Sequence, residues 1–262
     1  MGKWEIGTKP VVAGGRVRRS GPICLSRTLD RPTSCCSTAW VSERECAIST
    51  SHVALDSLPI LRPRGMQVSG LDAAEALVAI ARVRTPTGDF RVGDMFELPF
   101  ADGSFDVGTS FNGIWKGCEG ALSEARRVLV PDGRLGLTFW GRANRMGLMP
   151  YFAKMIELSP PGHGSASMEQ GDTGRRGVME DMLAATGFEL IERGTVDVVN
   201  EWPDVGTAVR ALAAAGPCVP AIEAVGYEAF CDALREVISP LWDREVGVRI
   251  TSEFGWITAK SA

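Results

Sequence analysis

Asp72 and Asp94 are the residues whose setting points to chemistry. Each closes a short run of β-forming type, "MQVSGLD" and "DFRVGD". At the carboxyl end of a parallel strand, a carboxylate can accept both hydroxyls of a ribose. Asp72 has a plainer use too: it can cap the helix that follows. A nucleotide-cofactor fold also needs a glycine-rich loop about twenty residues before that aspartate. The corresponding stretch here, "AISTSHVALDSL" from Ala47 to Leu58, contains no glycine.

The cysteines and histidines available do not predict a zinc site. The seven cysteines are Cys24, Cys35, Cys36, Cys46, Cys118, Cys218 and Cys231, and they form neither a CxxC pair nor a cysteine–histidine cluster. The two histidines, His52 and His163, are too few for a histidine-based site. His163 is a candidate general base, but its "PPGHGS" setting reads first as an ordinary loop.

Two strands, each ending in an acid, need a sheet to align them, and the texture from Gly65 onward supplies one. "AAEALVAIARVRT" is an amphipathic helix between the two strands. "SFDVGTSF" is a third strand, "GCEGALSEARRVLVP" a helix stopping at Pro131, and "RLGLTFWG" a fourth strand. Strand–helix alternation at this spacing predicts parallel βαβ units in a Rossmann-like, doubly wound α/β sheet. Further on, "VMEDMLAATGF" reads as a helix closed by Gly187, and "ELIERGTVDVVNEW" as a strand. Residues 203–242 read as helical, with breaks at Gly216-Pro217 and at Pro220, before a last strand, "VRITSEFGWITAK". The closing pair of long strands predicts an antiparallel addition at one edge of a mostly parallel sheet.

Residues 65–141 resemble the class I S-adenosylmethionine-dependent methyltransferases, in the small-molecule type 11 group. The resemblance is carried by "GLDAAEAL", "FRVGDMFELPFADGSFDV" and "ALSEARRVLVPDGRL". It implies S-adenosylmethionine as cofactor and a small-molecule methyl acceptor as partner. Asp72, with Ala73 beside it, would hold the ribose. Asp94, after Gly93, would meet the adenine amino group, and Met95 would offer a backbone N–H and an apolar side chain to the ring. Ser110 and Phe111 end the strand that would border the methionine half. Trp115 and Trp140 would line a substrate pocket or simply pack in the core. Gly108 departs from the branched residue that a strand interior favours.

In this family the first strand and its loop read like "LDVGCGTG". Either this chain has lost the loop, or its reading frame is displaced before about Gly65. Read from the third base of each codon, Ser49 to Asp56 can spell D-V-A-C-G-S-G, and Thr33 to Ala47 can spell V-V-L-L-D-G-V-G-V-R-A-G-M-R-H. A displaced frame therefore accounts for the missing loop. It predicts that residues 1–64 pack poorly, with the first strand and glycine loop missing or disordered.

The division expected is an irregular segment at 1–64, a cofactor core at 65–141, and a sheet edge with helical substrate-cap insertions at 142–262. Residues 142–171 and 203–242 would cover the pocket and choose the acceptor. The 262 residues are 45% hydrophobic with a net charge of −4, and basic residues do not cluster, which argues against a nucleic-acid surface. No apolar run approaches the roughly 20 residues that span a bilayer. With no signal-peptide core at the N-terminus, the expectation is a cytoplasmic protein without a membrane partner. The composition leaves oligomeric state open. Two other functions fit part of the pattern: a non-catalytic methyltransferase remnant or binding module, and a nicotinamide-dependent oxidoreductase. "LPFADGSFDV" argues against the oxidoreductase.

Overall fold

The computed structural model describes residues 45–49, 67–161 and 171–262. It has two compact units. The larger draws its described residues from Ser20–Met149, Gly164–Val198 and Thr251–Ala262, the smaller from Pro150–His163 and Val199–Ile250.

The larger unit is a mixed α/β fold. Its strands are β1 (Glu45–Ser49), β2 (Gln67–Asp72), β3 (Asp89–Val92), β4 (Phe105–Phe111) and β5 (Leu129–Trp140), with parts of β6 (Phe188–Trp202) and β8 (Gly247–Ser261). The sheet order is β3-β2-β1-β4-β5-β8-β6. β1 runs parallel to both β2 and β4, β2 parallel to β3, and β4 parallel to β5, whereas β8 is antiparallel to β5. Parallel and antiparallel strands thus share one sheet. From β1 the chain winds to β2 and β3 on one side, then returns to β4 and β5 on the other. That reversal opens a crevice at the carboxyl ends of β1 and β4.

The first strand is present, contrary to expectation: Glu45–Ser49 fills the slot between β2 and β4. Without it both neighbours would turn unpaired backbone groups toward the gap, and five residues that extend easily satisfy them. The rest of residues 1–64, His52 among them, lies outside the described residues, as does His163.

Helix α1 (Glu75–Arg84) connects β2 to β3, and α2 (Glu119–Val128) leads into β5. The second helix stops three residues before Pro131, earlier than predicted. Proline disfavours a helical residue before it, and Leu129 is already extended and paired with Phe105. Asp132 then takes a left-handed φ of 60°. At Gly133 an added Cβ would stand 2.7 Å from the Val130 carbonyl, so the turn requires glycine there. The core gathers Phe105, Leu122, Leu137, Phe139, Leu183 and Ile257, each 3% exposed or less. Leu183 comes from α4 (Val178–Ala185), which Gly187 closes with φ 79° as predicted.

The smaller unit holds α3 (Met149–Leu158), α5 (Val205–Ala213), α6 (Val219–Val225), α7 (Tyr227–Ile238) and the two-residue strand β7 (Trp242–Asp243), which pairs with the start of β8. Pro220 opens α6 instead of breaking a helix, because its missing N–H falls in the first turn, where no partner is needed. The second break sits at Gly226, where φ is 86°. Tyr151 is buried, and its hydroxyl lies 3.2 Å from the Leu212 carbonyl and 3.0 Å from Cys218 Sγ. Burial pushes both the phenol and the Cys218 thiol up from their ordinary values. Tyr151→Phe is expected to lower unfolding stability by about 1 kcal/mol in urea titration, the net worth of a neutral buried hydrogen bond.

Candidate active site

The strand register sets the two acids side by side. Asp72 pairs with Val92 across the β2–β3 ladder, and the Gly93 N–H donates to the Asp72 carbonyl at 3.1 Å. Asp94 therefore leaves β3 at the same end of the sheet where Asp72 leaves β2. One oxygen of each carboxylate closes a local turn: Asp72 Oδ1 accepts from the Ala74 N–H at 2.8 Å, and Asp94 Oδ1 from the Phe96 N–H at 2.9 Å. Asp72 Oδ1 thus closes a turn ahead of α1, whose N-cap is Ala74 with no side-chain cap, so Asp72 does not cap the helix as its plainer reading expects. It is half-buried, whereas Asp94 and Ala73 are exposed.

Across β1 lie the other candidates. Ser49, the last residue of β1, pairs with Leu71 on one side and Ser110 on the other. The chain thus leaves β1 between the Asp72 strand and the Ser110–Phe111 strand end. Ser110 and Phe111 are both buried. Met95 packs against the core with Leu98 and Phe100. At Gly93 an added Cβ would stand 2.8 Å from Leu71 Cδ1. Met95, Leu71, Leu122, Ile114 and Ser110 help line a largely apolar cavity of about 60 Å³. The hydroxyls of Thr109 and Ser110 are buried and make no hydrogen bond among the described residues. Such groups carry a standing cost until a polar partner meets them.

Two features escape a reading by residue type. Asn112, one residue past β4, has φ 54° and donates its N–H to the Thr138 carbonyl at 2.8 Å. The Asn112-Gly113 dipeptide, a turn signal, was its only trace in the sequence. The second is Arg127, which links two of the three segments that carry the resemblance. Its Nε donates to Glu124 Oε1 at 2.7 Å. Its Nη1 reaches the Phe100 carbonyl at 2.8 Å and Asp102 Oδ1 at 2.6 Å. Its Nη2 reaches the Leu98 carbonyl at 2.9 Å and Glu124 Oε2 at 2.7 Å. Glu124 Oε2 also accepts the Leu98 N–H at 2.7 Å. The Arg127 guanidinium, with the Leu98 N–H, holds the Glu124 carboxyl below the usual range against the opposing effect of burial.

Beyond β5 a buried carboxylate collects two guanidinium groups. Glu253, 3% exposed, accepts from Arg142 Nε and Nη2, both at 3.0 Å, and Arg145 Nε forms an ion pair with its Oε2 at 3.5 Å. Trp140 stacks on Phe254 with ring centroids 4.7 Å apart, and Trp115 is 37% exposed. Among the described residues no three His, Cys, Asp or Glu side chains gather as metal ligands, and no helix is long and apolar enough to cross a membrane.

The residues present fit the nucleoside half of an adenosyl cofactor: two carboxylates at neighbouring strand ends, beside a crevice at the reversal of strand order. Residues 56–137 match a family model described as a methyltransferase domain. The demethylmenaquinone methyltransferase of Thermotoga maritima is 40% identical over 72 residues, 27% of this chain and 31% of that protein. The ubiquinone/menaquinone biosynthesis C-methyltransferase UbiE of Dinoroseobacter shibae is 41% identical over 99 residues, 37% of this chain and 38% of that one. The matches thus span about a third of these relatives' length. In fold, a crystal structure from Bacillus halodurans, of a protein classed as a methyltransferase, covers 83% of this chain and 92% of its own at 18% identity and a TM-score of 0.53. Residues 56–137 thus carry a methyltransferase domain of the type 11 family, similar to class I S-adenosylmethionine-dependent enzymes of small-molecule type.

Proposed function

We propose that the chain descends from an enzyme moving a methyl group from S-adenosylmethionine to a small, partly apolar acceptor, and that as encoded it holds that cofactor weakly. One observation carries this reading. β1 ends at Ser49 between the Asp72 strand and Ser110, at the mouth of the crevice, yet no glycine occurs between Gly21 and Gly65. Asp72 would hold the ribose, with Ala73 beside it, and Asp94 the adenine amino group. Gly93 and Met95 would border the ring, while Ser110 and Phe111 would border the methionine half. When bound, the cofactor supplies an electrophilic methyl on sulfur, so the protein's task is to align an acceptor atom behind it and keep water away. We assign acceptor choice to residues 142–171 and 203–242, which lie outside the family match. The match to residues 56–137 supports the donor, and the names of the relatives favour a quinone-like acceptor.

A displaced frame is compatible with a filled first-strand slot. It changes residue types without changing chain length, so a strand can still form at the same distance from Asp72. The loop glycines, by contrast, depend on residue type and are lost. The gene's nucleotide sequence across codons 20 to 66 tests this directly. For the ligand, titration of the encoded chain with S-adenosylhomocysteine, followed by protein-observed NMR, is expected to give weak saturable shifts at Asp72 and Asp94 that adenosine competes away. Saturable binding of a nicotinamide dinucleotide with no response to either adenosyl ligand would turn the assignment toward an oxidoreductase.

A further inference from the structure

We propose that Arg127 is a positioning residue for adenine recognition, acting through the segment that carries Asp94 and Met95. This rests on the assignment of Asp94 to the adenine amino group. The segment is pinned at both ends. At its start the Gly93 N–H is bonded to the Asp72 carbonyl. At its far end Leu98 is held twice, its N–H by Glu124 at 2.7 Å and its carbonyl by Arg127 at 2.9 Å. Between them Asp94 closes a turn through the N–H groups of Phe96 and Glu97. Only a few residues separate the two anchors, so the Asp94 carboxylate has little freedom once both hold.

Arg127 suits the task because its donors are all used. A guanidinium has five N–H groups, and the five contacts to Glu124, Phe100, Asp102 and Leu98 occupy them. The Arg127 carbonyl in turn accepts the Gly103 N–H at 3.0 Å, so one residue grips the loop by side chain and backbone. Lysine, a point charge on a flexible stem, cannot reproduce that fork. Glu124 and Arg127 stand three residues apart on one face of α2, which explains physically why an E-x-x-R helix accompanies an "LPFADGSF" loop.

The test is adenosine against inosine, which lacks the amino group that Asp94 would accept from. Affinities are measured by NMR titration of the encoded chain and its variants. The encoded chain is expected to prefer adenosine about tenfold, the worth of one charged hydrogen bond. Arg127→Met and Asp94→Ala should each bring the preference near one, and the double variant should lose no more than either alone. Arg127→Lys, less disruptive to folding, should fall between, with faster hydrogen exchange at the Leu98 amide. A loosened Leu98 amide with the preference intact, in either Arg127 variant, overturns the positioning role. No preference in the encoded chain instead overturns the Asp94 assignment, and the proposal with it.

Discussion

A chain whose reading frame is restored before Gly65 is expected to bind S-adenosylmethionine at least about a thousandfold more tightly than the encoded chain. A hydrogen bond to a charged group contributes on the order of 1.5–3 kcal/mol. A glycine-rich loop offers several backbone N–H groups to the methionine carboxylate, and its lack of side chains lets the backbone approach closely. Three such bonds amount to about 4.5 kcal/mol at the low end, or roughly three orders of magnitude. The position supports a local loss, since β1 stops at Ser49 between Leu71 and Ser110. The buried hydroxyl of Ser110, which has no partner among the described residues, lies on the same side of the crevice. Calorimetry on both purified chains measures the difference, with Asp72→Ala in the restored chain as control. Equal affinities would remove the missing loop as the cause of weak binding. An unaffected control would remove Asp72 from the site.

The second large effect is expected at Glu253. Its side chain is 4% exposed, and the ion pair with Arg142 is two-pronged, with the Arg142 backbone N–H adding a third contact at 3.3 Å. Truncation by Glu253→Ala should cost about 3 kcal/mol of unfolding stability, the lower end of what breaking a buried pair costs, since the arginines left behind are exposed and solvated. Arg142, first, with Arg145 behind it, holds the Glu253 carboxyl below its ordinary value of 4.5. A carboxyl depressed on folding contributes stability that is fully present above its unfolded pKa and is lost as pH falls through the folded one. Stability should therefore be flat in this contribution at neutral pH and decline below about pH 4.5, and Glu253→Gln should flatten part of that decline. Arg142→Met should move the acid unfolding midpoint upward, because the buried carboxylate loses its principal counter-charge. An acid limb identical in all three proteins would rule Glu253 out as its source.

What the sequence determined by itself was local and periodic. The strand ending at Asp72, the alternation of strands and helices, the glycine stop at Gly187 and the long strands that bring β8 antiparallel to β5 were all legible, because each depends on neighbouring residues. The helix end before Pro131 was misplaced because a competing partner, the β4 strand, captures Leu129. The sequence also contained both halves of the clamp without showing that they meet: Glu124 and Arg127 lie more than twenty residues beyond the Leu98 and Phe100 groups they bind. Only the tertiary structure decided three further points. It set the β2–β3 register, Asp72 opposite Val92, that brings Asp72 and Asp94 to the one end of the sheet expected for them. It buried Glu253 beneath two arginines far earlier in the chain. And it filled the first-strand slot with Glu45–Ser49, a segment without strand periodicity. A slot between two parallel strands recruits whatever backbone can extend there, since N–H and C=O groups are common to every residue but proline. Side chains are not interchangeable in that way, so a strand can form where the cofactor loop's glycines are lost.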